Sequence, residues 1–146
     1  MPTASTRIFR VSLRPKLYRD LEIQSDKSLY QLAESIVRAF GFDFDHAFGF
    51  YSKLTDYYHD SPSKYELFAD LENGDSDARS VKRTKIVQAF PTVDTKMMFL
   101  FDYGDEWRFK VELVGLGEKA PNARYPKTLA SVGQAPPQYP DPDEDA

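Results

Sequence analysis

The stretch KMMFLFDYGDEWRFKVEL, Lys96 to Leu113, holds the clearest structural signal in the chain. Met97 to Phe101 are continuously apolar, the pattern of a central strand covered on both faces. Trp107, Phe109, Val111 and Leu113 alternate with Arg108, Lys110 and Glu112, a period of two that turns one face to a core and the other to water. Two strands, Lys96–Tyr103 and Glu106–Leu116, therefore flank Asp–Tyr–Gly–Asp, which reads as a hairpin connection. Gly104 is expected to supply the positive φ of the turn. Aspartate suits such turns because its carboxylate caps backbone amides and its backbone tolerates the left-handed region. Asp102, Asp105 and Glu106 also offer hard oxygens of the kind that hold Mg²⁺ or Ca²⁺. Their spacing does not match the D-x-[DN]-x-[DN]-G loop, so the structural turn is the preferred reading.

Upstream, Arg7 to Leu13 alternate in the same way, and Tyr18 to Ile23 offer a second strand antiparallel to the first. Ser28 and Gln31 form an S-x-x-Q capping box ahead of Leu29, Leu32, Ile36, Ala39 and Phe40, which share one helical stripe. The spacing predicts a helix over Leu29–Phe40, ended by Gly41 in a left-handed C′ position and lying on a sheet. A strand follows around Ala47–Tyr51. The span Tyr57–Asp77 is polar and loop-like, with Glu66–Leu71 a short strand or helical turn and Asn73–Asp77 an exposed turn. Thr84–Phe90 makes one or two helical turns before Pro91. From Gly115 the chain is rich in Gly and Pro, and it closes on the extended APPQYPDPDEDA. The fold expected is α+β: one domain over residues 1–135, with a mixed or mainly antiparallel sheet covered by a helix and a β-grasp-like N-terminal half, then a Pro-rich acidic tail over 136–146.

A chain of 146 residues, 41% hydrophobic and 14% aromatic, is long enough for one core; a domain of this size buries roughly 68–70% of its unfolded surface. The net charge of −4 lacks the electrostatic footprint of a duplex-DNA binder. The chain has no cysteine, which removes disulfides, thiolate metal sites and cysteine nucleophiles. No apolar run reaches the length of a signal-peptide core or a membrane span, and the expected location is cytoplasmic.

His46 and His59 are the only imidazoles. Each has an aspartate neighbour that can orient a ring or share a metal, so Asp102, Asp105 and His46 form the candidate divalent-metal set. No G-x-S-x-G, P-loop or H-E-x-x-H pattern occurs, and no nucleophile–base pair can be assembled. Arg7, Arg10, Arg14, Lys16 and Arg19 give the N-terminal part a basic bias, and Lys82–Arg83–Thr84–Lys85 is a short basic run. Either can touch a phosphate backbone, with little affinity at physiological salt. Pro136–Pro137–Gln138–Tyr139 fits the P-P-x-Y pattern read by aromatic grooves, but packing of Tyr139 back onto the domain is the simpler expectation.

Three blocks in order resemble the plasmid pRiA4b ORF-3-like family: SLYQLAESIVRAFGF with His46 downstream, FDYGDEWRFKVEL, and YPKTL followed by GQAPP. The resemblance implies a small α+β domain with no reaction firmly attached. Its motif residues fall on Asp102, Tyr103, Gly104, Asp105, Trp107 and Arg108, with Gly41 and His46 in the first block and Gly133, Pro136 and Pro137 in the last. Many members carry cysteines in the C-terminal block, where this chain has Lys127, Thr128 and Ala135. The leading functional expectation is a non-enzymatic binding or interaction module related to plasmid- or mobile-element-associated proteins, with an unknown protein partner and no bound cofactor. The rivals are a metal-dependent hydrolase or nuclease built on Asp102 and Asp105, and a weak nucleic-acid-associated protein.

Overall fold

The computed structural model describes residues 5–67 and 78–139. The elements run β1 (Thr6–Arg14), β2 (Leu17–Gln24), α1 (Leu29–Ala39), β3 (Phe48–Tyr51), a single 3₁₀ turn (Tyr58–Asp60), β4 (Lys64–Glu66), β5 (Arg79–Ser80), α2 (Ile86–Ala89), β6 (Lys96–Phe101), β7 (Trp107–Gly117) and β8 (Lys127–Val132). The strands form one eight-stranded sheet in the order β5-β4-β3-β6-β7-β1-β2-β8. Every neighbouring pair is antiparallel except β4 and β5, so the sheet is mixed. The described residues are mostly sheet, and α1 is the longer of the two helices among them, α2 having four residues. The expected turn Asn73–Asp77 and the end of the expected element Glu66–Leu71 lie outside the described residues.

The helix forms where its caps dictate. Ser28 Oγ accepts from the Gln31 amide at 3.2 Å and Gln31 Oε1 accepts from the Ser28 amide at 3.0 Å, which pairs two otherwise orphaned donors. Gly41 follows at φ 76°, the left-handed residue that ends the helix. The buried stripe Leu29, Leu32, Ala33, Ile36 and Val37 packs in one cluster with Phe9 and Val11 of β1, Leu21 and Ile23 of β2, and Phe109, Val111 and Leu113 of β7. Met97, Phe99 and Phe101 of β6 join this cluster. Met98 and Leu100 point the other way and meet Tyr51 and Tyr58. The continuous apolar run of β6 is thus covered on both faces, as its pattern requires.

Two features were not visible in the sequence pattern. β8 forms from KTLASV inside the Gly- and Pro-rich segment and pairs antiparallel with β2, with Tyr18 opposite Val132 and Glu22 opposite Lys127. As an edge strand with five of its six residues exposed, it has no buried face to impose a hydrophobic alternation. The second is Arg7, counted above among the N-terminal bases able to touch a phosphate backbone but only 3% exposed. Its Nε donates to the Phe90 carbonyl at 2.9 Å, Nη1 to Ser25 Oγ at 2.7 Å and Nη2 to the Pro91 carbonyl at 3.4 Å.

Candidate functional site

The β6–β7 connection is built around Asp102. Its amide donates to the Ala47 carbonyl at 2.9 Å, and its own carbonyl accepts from the Glu106 amide at 2.6 Å, closing the turn. One carboxylate oxygen, Oδ1, accepts from the Gly104 and Asp105 amides at 3.0 and 3.3 Å. The left-handed residues are Asp102 (φ 66°) and Glu106 (φ 53°), not Gly104, which corrects the expected source of the turn's positive φ. What Gly104 supplies is room: a Cβ there would sit 3.3 Å from Asp102 Oδ1. Aspartate tolerates the left-handed region because its short side chain can bond the local backbone, and it does so here.

The other oxygen of Asp102, Oδ2, lies 3.3 Å from His46 Nε2. Asp45 Oδ1 stands 3.6 Å from the same nitrogen, and the Tyr139 hydroxyl contacts it directly. Tyr139 in turn donates to Asp45 Oδ2 at 3.0 Å, which leaves its oxygen to accept from Nε2–H. Desolvation first, then the hydrogen bond and charge of Asp45 and the charges of Asp102 and Asp105, push the Tyr139 phenol up to about 12. Gln138, 8% exposed, anchors the segment: Oε1 accepts from the Asp43 amide at 2.7 Å, and Nε2 donates to the Asp43 carbonyl at 3.1 Å and Asp45 Oδ1 at 3.3 Å. The P-P-x-Y segment is therefore docked onto the 42–46 loop, as expected of Tyr139.

The remaining motif side chains fasten the hairpin. Tyr103 shares a 2.7 Å hydrogen bond with Tyr51, whose hydroxyl also donates to Glu66 Oε2 at 2.5 Å. Burial and these partners raise the Tyr51 phenol far above its usual range, and burial chiefly pushes Tyr103 up to about 12. Both rings lie over Gly49, where a Cβ would come within 2.8 Å of either hydroxyl. Trp107 packs on Phe42, centroids 4.8 Å apart, with its Nε1 buried and making no hydrogen bond. Arg108 pairs with Asp56 and, at 2.5 Å, with Glu106 Oε1.

Of the candidate metal set, the fold brings His46 and Asp102 together, while Asp105 takes part through its amide. Among the described residues, no group of three or more His, Asp or Glu side chains is arranged to hold an ion. His59 stacks on Tyr58 at 4.1 Å instead of joining His46. Of the five N-terminal bases, Arg7 and Arg19 are buried and Arg10 is held by Asp20 at 2.9 and 3.0 Å, which leaves Arg14 and Lys16 exposed. Sequence reasoning missed Tyr51, Glu66 and Gln138. The glycine two residues before Tyr51 was the available signal for the tyrosine pair, since a ring can cover a glycine neighbour on the same strand face.

The model of the plasmid pRiA4b ORF-3-like protein family matches residues 6–139, nearly the whole chain. The chain belongs to this family. The pRiA4b ORF-3-like signature is here a hairpin whose motif side chains tie β6 and β7 to β3, the 42–46 loop and the 53–60 segment. Among solved structures, one of a protein of unknown function from Methanosarcina mazei Go1 is similar with a TM-score of 0.72 at 17% identity, over 94% of this chain and 74% of that one. At that identity the likeness is one of fold. No curated protein matches. No described helix is long and apolar enough to cross a membrane.

Proposed function

We propose that the protein is a non-enzymatic binding module, and that its binding face is the end of the sheet where the Asp102–Glu106 turn, the 42–46 loop and the docked Gln138–Tyr139 segment meet. The observation that carries this reading is how the side chains there are engaged. Asp102 has one oxygen on turn amides and the other toward His46, and His46 Nε2 is taken up by Tyr139 and Asp102. A catalytic pair needs a nucleophile or base aimed at an open position, whereas these groups are aimed at each other. Around them, Asp43, Asp45 and Asp105 are exposed beside the half-exposed rings of His46 and Tyr139. A cavity of about 320 Å³ opens between Phe44, His46, Phe48 and Leu67. Carboxylates beside aromatic faces favour a cationic side chain on the partner, by charge and by cation–π attraction.

Native mass spectrometry of the protein purified from its own cells is the test. A complex is expected with the wild type and is expected to be lost in Tyr139→Ala/Asp45→Asn; a monomer alone from the wild type sinks the proposal. The metal-hydrolase rival is separated by melting curves. Unchanged melts in EDTA, Mg²⁺ and Mn²⁺ are expected, and a metal-dependent rise that disappears in Asp102→Asn would favour the rival.

A further inference from the structure

A cavity of about 410 Å³ opens at the end of β2, between the loop leading into α1, the start of α2 and the chain beyond β7. It shares no lining residue with the face described above. Lys27, Lys85 and Lys119 line it, together with Ser5 and Ser25; Asp26 and Gln24 complete the rim with Val87. The chain as a whole is acidic, 23 Asp and Glu against 19 Lys and Arg, yet three lysines and one aspartate line this cavity. None of the three forms an ion pair among the described residues.

The two serines are set as donors. Ser25 Oγ accepts from Arg7 Nη1 at 2.7 Å, and Ser5 Oγ accepts from the Lys119 amide at 2.6 Å, so each hydroxyl proton is free for another acceptor. Behind Ser25 stands Arg7, a buried guanidinium whose partners among the described residues are two carbonyls and that hydroxyl. Buried charges are ordinarily paired with an opposite charge, because desolvation without one is costly. Among the described residues Arg7 has no carboxylate partner, and it donates to the hydroxyl of Ser25, which lines the cavity.

The geometry points to this cavity as a binding pocket for the phosphoryl group of a small molecule. A phosphate dianion brings three acceptor oxygens and the charge that the lysines and Arg7 lack, and lysines serve such groups as mobile point charges. The volume lies in the range of small-molecule sites and leaves room for an organic body beyond the phosphate.

Isothermal titration with inorganic phosphate and, separately, adenosine monophosphate at constant ionic strength tests this. Saturable binding of at least one is expected, weakened about tenfold or more in Lys85→Gln/Lys119→Gln, whose side chains are exposed and form no ion pair among the described residues. Tighter binding of the monophosphate assigns the remaining volume to the organic body; equal affinity assigns the pocket to the free ion. The distant control Lys110→Gln is expected to leave affinity unchanged. Absence of saturable binding of either probe up to about 10 mM, undiminished binding in the double variant, or equal weakening in the control overturns the assignment.

Discussion

Asp102 does more than any other single residue at the hairpin. It occupies a left-handed position, caps two amides and faces His46. Asp102→Ala is expected to lower stability by about 1–2 kcal/mol, the usual cost of losing a side-chain cap, and Asp102→Asn by much less because an amide oxygen keeps the cap. Urea unfolding of the two variants separates these outcomes. Gly49 is the second such residue: Gly49→Ala drives a methyl into two phenols that already share a hydrogen bond, with an expected cost of about 1–3 kcal/mol. The phenols make a pH prediction. The folded Tyr103 pKa, about 12, lies above the ordinary 10, and Tyr51 is raised further. The folded state thus holds protons that the unfolded chain has released, so stability is full below pH 10 and falls as pH rises toward 12. Tyr103→Phe is expected to flatten that alkaline limb in pH-resolved denaturation.

At the scale of elements, the parts legible in the sequence were those whose own residues carry the cause. The α1 boundaries follow from a capping box and a C′ glycine, and the β6–β7 pair from an apolar run beside a strict alternation. Ser28→Ala is expected to cost about 1 kcal/mol, read as a drop in melting temperature. β8 was illegible because an exposed edge strand gains its hydrogen bonds from β2 without burying a face of its own. The positive φ was assigned to Gly104 because propensity favours glycine; the local bonds of Asp102 override that preference. The burial of Arg7 was illegible for a related reason. Its place between β1 and the segment after α2 depends on carbonyls more than eighty residues away, which no local pattern announces. Arg7→Lys is expected to destabilise by about 1.5–3 kcal/mol, since a single ammonium cannot reach the three acceptors that the guanidinium fork spans.

Across the whole molecule, the candidate site joins parts of the chain far apart in sequence. Asp43 and Gln138 are 95 residues apart, and Gln138 satisfies both the amide and the carbonyl of Asp43. Gln138→Ala should expose the Asp43 amide to hydrogen exchange and cost about 1 kcal/mol, while the α1 amides stay protected. The sequence grouped His46 with Asp102 by side-chain chemistry alone; it is the sheet order that brings them to the same end. That order has a further consequence for synthesis. β1, translated well before β7, lies between β2 and β7, and its residue Thr6 pairs with Gly117. A nascent chain can close the β1–β2 hairpin early but must carry the other edge of β1 unpaired until β7 has been translated. In that interval the growing chain exposes a strand edge open to pairing with a neighbouring chain, which is when a holdase chaperone would have most to protect.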